Sequence, residues 1–206
     1  ITSWTFYIKY LNLVGMFIEL TTEHIILLNI FWCVLSELLI YYILLLNTHN
    51  VALSTVAATL YLVWPIHNFY ILLLTPEFPN IFFLLLTILL LSLLLKKVLS
   101  GCTKKAFLYL FLASCSLRIA GFFKGIDTIM LIALFIILVL KFYDLKKIMT
   151  TKLIFIGLVF AIGIYLLTGS LIWNILDNYI AGNGNHINRN ISPYFLAQGL
   201  NFETWG

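Results

Sequence analysis

Long apolar runs constrain this chain more than any other feature. Residues 23–46, 52–74, 81–95 and 153–176 are almost without charge, and further apolar stretches lie at 106–117 and 126–142. Runs near 20 residues match the thickness of a bilayer core crossed by a helix. Within lipid every backbone N–H and C=O must be paired inside the element, which leaves helices or a closed barrel. The expectation is therefore an all-α, polytopic membrane protein with about six transmembrane helices. Only 10% of its residues are charged, against about 25% in soluble domains.

The polar residues divide the chain into three parts. Residues 1–22 are aromatic and mildly amphipathic, fitting either an interfacial helix or a partly buried one. Residues 23–176 form the transmembrane domain. Residues 177–206 are polar, rich in Asn and Gly, and expected to be an irregular tail. Lys9 and Glu19 interrupt the first apolar stretch, and no small-residue cleavage site follows, which argues against a signal peptide. The cysteines (Cys33, Cys102, Cys115) and the four histidines show no metal-ligand spacing.

Charge orients the spans. Lys96, Lys97, Lys104 and Lys105 fall in one loop, and Lys141, Lys146, Lys147 and Lys152 in another. Lysine-rich loops mark the cytoplasmic side. Six alternating spans then put residues 1–22, 75–80, 119–125 and the tail on the non-cytoplasmic face. The remaining basic residues, Lys9, Arg118, Lys124 and Arg189, share that face with Glu77 and Asp127. The net charge of +4 therefore reflects loop lysines, and nucleic acid is not expected as a partner.

Three ionisable positions demand explanation. An ionised side chain at a helix centre costs roughly 2.5–3.5 kcal/mol on insertion scales. Glu37, inside the first span, should face the bundle and find a partner. Arg118 lies in the stretch Ser114–Asp127 between two apolar helical runs, with Lys124 close behind and Gly121 and Gly125 among them. Guanidinium and ammonium groups suit a phosphate; snorkelling to headgroups is the simpler alternative. Glu77 sits in Thr75-Pro-Glu-Phe-Pro-Asn80, which reads as a tight turn fixed by two prolines. Pro65 is expected to kink the second span.

The order of these features resembles the GT-C membrane glycosyltransferases, in particular the polyprenyl- or dolichyl-phosphate-sugar-dependent relatives of protein mannosyltransferases. Three places carry the resemblance. Pro65, then Thr75-Pro76-Glu77, then Phe82–Leu95 and Lys96-Lys97 is similar to a late-span proline, an outer Thr-Glu pair and a Leu-rich helix ending in basic residues. Pro76 splits the usual pair. Leu112-Ala-Ser-Cys-Ser-Leu-Arg118 with Gly121 resembles a helix ending in small residues and a cation. Asp177-Asn178-Tyr179-Ile-Ala-Gly182, then Gln198-Gly-Leu-Asn-Phe202, resembles an Arg-Asn-Tyr-like span end, with Asp177 where Arg is usual.

The resemblance implies transfer of a sugar from a polyprenyl-phosphate carrier to a lipid, glycan or protein acceptor. It implies Arg118, Lys124, Asn178 and Tyr179 as contacts for the lipid phosphate, and Glu77 and Glu19 as catalytic carboxylates. The family's catalytic acid lies in the first outer loop, where only Glu19 and Glu23 are available. Either an N-terminal part is missing or the chain is not an active transferase. No cofactor is called for with certainty, and a divalent metal at Glu77 stays open. Expected partners are membrane lipids, a lipid-linked sugar donor and, in the alternative reading, other membrane subunits. That alternative is a non-catalytic subunit of a complex, such as a divergent organelle-encoded respiratory or ATP synthase subunit. The host membrane is a bacterial inner membrane, the endoplasmic reticulum or the mitochondrial inner membrane. No matched halves or paired broken helices point to a transporter.

Overall fold

The computed structural model describes residues 3–18, 21–73, 75–100, 102–134, 136 and 151–181. Glu19, the Lys141–Lys147 stretch and the tail from residue 182 onward lie outside them, as do the side chains of Asp177 and Tyr179. The described residues form helices joined by short turns, with no strand among them, in the order α1 (Ser3–Gly15), α2 (Thr22–Thr48), α3 (Val51–Leu62), α4 (Pro65–Ile71), α5 (Glu77–Leu99), α6 (Thr103–Lys124), α7 (127–134) and α8 (Thr151–Ala181). Among the described residues four helical stretches are long and apolar enough to cross a membrane: Thr22–Thr48, Glu77–Leu99, Lys104–Lys124 and Ile154–Ile175.

Local chemistry explains the helix ends. The Thr21 hydroxyl caps α2 by accepting the His24 N–H at 3.3 Å. At its other end His49 takes a left-handed conformation and returns its N–H to Leu45. Asn50 Oδ1 then accepts the Leu53 N–H at 3.0 Å, so the next helix starts at once. Side-chain caps of this kind satisfy orphan donors that the helix itself leaves open. Lys96, in the last turn of α5, donates to the Leu46 carbonyl near the C-terminus of α2 at 2.5 Å. There its charge also complements the helix dipole.

Three expectations change. The second span is two helices: α3 stops at Leu62, Trp64 is extended, and Pro65 opens α4. Proline lacks the N–H the helix needs and pushes the preceding residue out of the α region. A break therefore replaces the expected kink, and α3 reaches only about 18 Å at 1.5 Å per residue. The Asn29 side-chain amide of α2 donates to the carbonyls of Ile71 (3.0 Å) and Leu73 (2.8 Å), holding the end of α4.

The second change concerns Thr75–Asn80. The helix begins at Glu77 rather than Ile81, with Pro79 in its first turn. The first turn has no intrahelical use for its N–H groups, so proline fits there. Third, residues 119–124 are not a loop. Helix α6 continues to Lys124, and Gly125 ends it at φ 64° with its N–H on the Gly121 carbonyl at 2.8 Å. A left-handed C-terminal glycine carries no Cβ penalty. Arg118 thus lies inside a helix, about 9 Å from its end.

The helices α5 and α6 pack together, with α2 on α5, α3 on α2 and α8 on α6. Two bonds across the α5–α6 seam, Asn80 Nδ2 to the Ala120 carbonyl and Ser116 Oγ to the Phe83 carbonyl, both at 2.8 Å, fix their register. Helix α1 lies on α6 and α8, burying Phe6, Tyr7 and Leu11. Phe6 stacks on Phe122 at 4.7 Å and meets Phe123 edge-on at 5.1 Å. Trp32 donates to the Tyr10 hydroxyl at 3.1 Å, and Lys9 lies over the Trp173 ring at 4.1 Å. Burial pushes the Tyr10 hydroxyl pKa up, against the downward pull of the Trp32 bond.

Candidate functional site

Thr75, Glu77, Arg118, Lys124 and Asp127 converge at one end of the bundle, where α5 starts and α6 finishes. The lysines Lys96, Lys97, Lys104 and Lys105 lie at the opposite end of the same two helices. Two ion pairs make up the site.

The outer pair joins Glu77 to Lys124. Glu77 opens α5, and its second carboxylate oxygen takes the Thr75 hydroxyl. The Thr75 oxygen in turn accepts the Glu77 backbone N–H at 3.3 Å. Pro76 therefore separates Thr75 and Glu77 in sequence without separating their side chains. The side chain of Glu77 is 29% exposed and that of Lys124 42%. Part-exposed ion pairs of this kind hold weakly.

The inner pair joins Arg118 to Asp127 at 3.3 Å, with side-chain exposures of 30% and 6%. Arg118 also donates to the Tyr165 hydroxyl at 3.0 Å, and that hydroxyl hydrogen-bonds Asp127 Oδ2. The guanidinium lies between the rings of Phe122 (4.7 Å) and Tyr165 (4.8 Å). Aromatic faces stabilise a cation held away from water. Asp127 Oδ1 accepts the Thr128 N–H at 3.0 Å, so one carboxylate both opens α7 and neutralises Arg118.

Two glycines make this close approach feasible. A Cβ on Gly121 would overlap the Asp127 carboxylate, and one on Gly169 would stand 2.5 Å from Arg118 Nε. That Nε is buried and, among the described residues, has no hydrogen-bond partner. It faces α8 backbone rather than an open site, so Arg118 is less available to a ligand than Lys124.

Of the residues expected to act together, the structure brings Glu77 to Lys124 and places Arg118 on the same helix, but gives each cation its own carboxylate. Asn178 is exposed near the end of α8, and among the described residues no hydrogen bond joins it to the ion pairs. Glu19 and the Tyr179 side chain fall outside the described residues. Sequence reasoning did not assign Asp127, Tyr165, Thr75 or Gly169 to the site. Asp127 carried a signal, because a cation at membrane depth requires a counter-charge. Tyr165 carried none: a tyrosine in an apolar run is ordinary. Among the described residues no three His, Cys, Asp or Glu side chains converge as a metal site would require.

Comparison with protein-family models, curated proteins and solved structures finds no match to this chain.

Proposed function

We propose that the chain is the membrane core of a glycosyltransferase that takes a sugar from a polyprenyl-phosphate carrier. The observation that carries this reading is the Thr75–Glu77–Lys124 cluster, its ion pair part-exposed over a buried Thr75, at the bundle end away from the lysine-rich loop. In this reading six spans cross the membrane, and the cluster and the polar tail face the non-cytoplasmic side.

Each group has a role. Lys124 holds the carrier phosphate as a point charge once the phosphate displaces Glu77. Glu77 is then free to accept a hydrogen bond from the acceptor hydroxyl and orient it. The acceptor oxygen attacks the anomeric carbon, the bond from that carbon to the phosphate oxygen breaks, and its electron pair leaves on the polyprenyl phosphate. The hydroxyl proton passes to a carboxylate: Glu77 by geometry, or Glu19 by sequence order. Arg118, neutralised by Asp127, holds α6, α7 and α8 together beneath the phosphate.

A second reading rests on a different observation. The Arg118–Asp127–Tyr165 triad ties α6, α7 and α8 together, as a clasp in a non-catalytic subunit would. One experiment separates the two. Membranes containing the chain are given polyprenyl-phosphate-linked radiolabelled sugar, and label transfer to lipid and protein fractions is followed. Transfer that disappears in Glu77→Gln and Lys124→Ala, with the protein still folded, supports the transferase. Absence of transfer by the folded parent, isolated with its full complement of subunits, supports the subunit reading.

A further inference from the structure

Glu37 is the ionisable group that none of this explains. It lies near the middle of α2, a helix of 27 residues that is long and apolar enough to span the membrane. Its side chain is half-buried, and among the described residues its carboxylate has no hydrogen bond or ion pair. The helix places it on a boundary. One turn earlier lies the buried Cys33, beside the buried Ser36. On its other side run Leu27, Ile30, Phe31, Val34, Leu38 and Tyr42, all exposed. Residues at these spacings form one continuous stripe.

We infer that this face of α2 docks a transmembrane helix of another protein carrying a lysine or arginine at mid-membrane depth. Charge complementarity decides the occupant. Apolar lipid can cover the leucines and phenylalanine but offers nothing to a carboxylate in the bilayer centre. A second copy of this chain offers little more. Among the described residues the one basic group within a span and away from its ends is Arg118, and Asp127 and Tyr165 hold it. A copy docked by the same face would set Glu37 against Glu37, like charge against like. A basic group on a foreign helix supplies the missing counter-ion, and the apolar stripe supplies its packing surface. The inference is independent of the glycosyl-transfer reading, since it uses no residue of that site.

The test uses the full chain reconstituted in vesicles with a donor fluorophore. The probes are acceptor-labelled 22-residue polyleucine peptides (probe length chosen from the span requirement of about 20 residues) with a central Lys, Leu or Glu. The expected result is about tenfold tighter association of the Lys peptide than of the Leu peptide, with the Glu peptide weakest. Glu37→Leu and the isosteric Glu37→Gln should both abolish that preference. The Gln variant keeps the test available should the Leu variant misfold. Equal association of the Lys and Leu peptides would overturn the proposal, and so would a Lys preference that survives in Glu37→Gln. Self-association of the chain that depends on Glu37 would overturn it as well, by making a second copy the occupant.

Discussion

Replacing Asp127 by Asn removes the counter-ion of Arg118 while keeping an acceptor for the Thr128 N–H. Removing one partner of a buried ion pair typically costs about 3–5 kcal/mol. Two features lower that here. The Arg118 side chain is 30% exposed, and it keeps the Tyr165 hydroxyl and two aromatic faces. The expected loss is therefore about 2 kcal/mol, or about 30-fold in the ratio of folded to unfolded protein. The double variant Arg118→Leu/Asp127→Asn removes both charges and should recover most of that loss, because an ion pair replaced by apolar groups is often neutral. SDS-driven unfolding in mixed micelles, followed by tryptophan fluorescence and completed as a double-mutant cycle, measures both. Asp127→Asn stability indistinguishable from the parent would refute the reasoning. So would a double variant whose loss equals the sum of the singles, since the groups would then be uncoupled.

Other substitutions test neighbouring contacts in the same assay. Gly121→Ala drives a methyl into the Asp127 carboxylate and should cost about 1–3 kcal/mol; wild-type stability would mean that α7 yields freely. At Gly125→Ala nothing crowds the new methyl, but the left-handed backbone should still cost about 1–2 kcal/mol. Asn29→Leu leaves the Ile71 and Leu73 carbonyls without their donor, and should cost about 1–3 kcal/mol and loosen α4. Faster hydrogen exchange confined to residues 69–75 would report the loosening, and unchanged exchange would count against it. Trp173→Leu removes the ring under Lys9 and should release α1 from α8 at a cost of about 1 kcal/mol, seen as easier proteolysis within residues 3–18.

Apolar length made the long helices legible before any coordinates. The stretches 23–46 and 153–176 correspond to α2 and α8 within a few residues at each end. The departures trace to proline and glycine, whose effect depends on position. Pro65 ends one helix and opens another, whereas Pro79 sits harmlessly in the first turn of α5, and sequence alone treats both as interruptions. Gly121 passes inside α6, while Gly125, four residues on, terminates it. Six spans were expected. Four helical stretches have the length and apolarity to cross, because the second apolar run is broken and the described part of the fifth stops at α7.

The site was half legible. Charge at membrane depth flagged Arg118, a shared outer face flagged Glu77 and Lys124, and the helix register brings Glu77 to Lys124. The same charge rule, carried one step further, would have paired Arg118 with Asp127 nine residues on. Tyr165 and Gly169 could not be found that way, because their part in the site arises only from how α8 packs on α6. Glu37 reverses the lesson. Sequence reasoning expected a partner inside the bundle, and none of the described residues supplies one.

Binding of the carrier lipid itself tests the proposed function most directly. Native mass spectrometry of the purified full chain, with polyprenyl phosphate or with the parent polyprenol added, separates phosphate recognition from tail recognition. If Lys124 holds the phosphate, a single polyprenyl-phosphate adduct forms, polyprenol binds far less, and Lys124→Ala brings the two to the same level. Equal binding of phosphate and alcohol by the parent protein, or a phosphate preference untouched by Lys124→Ala, would contradict the assignment of this end of the bundle as a lipid-phosphate site.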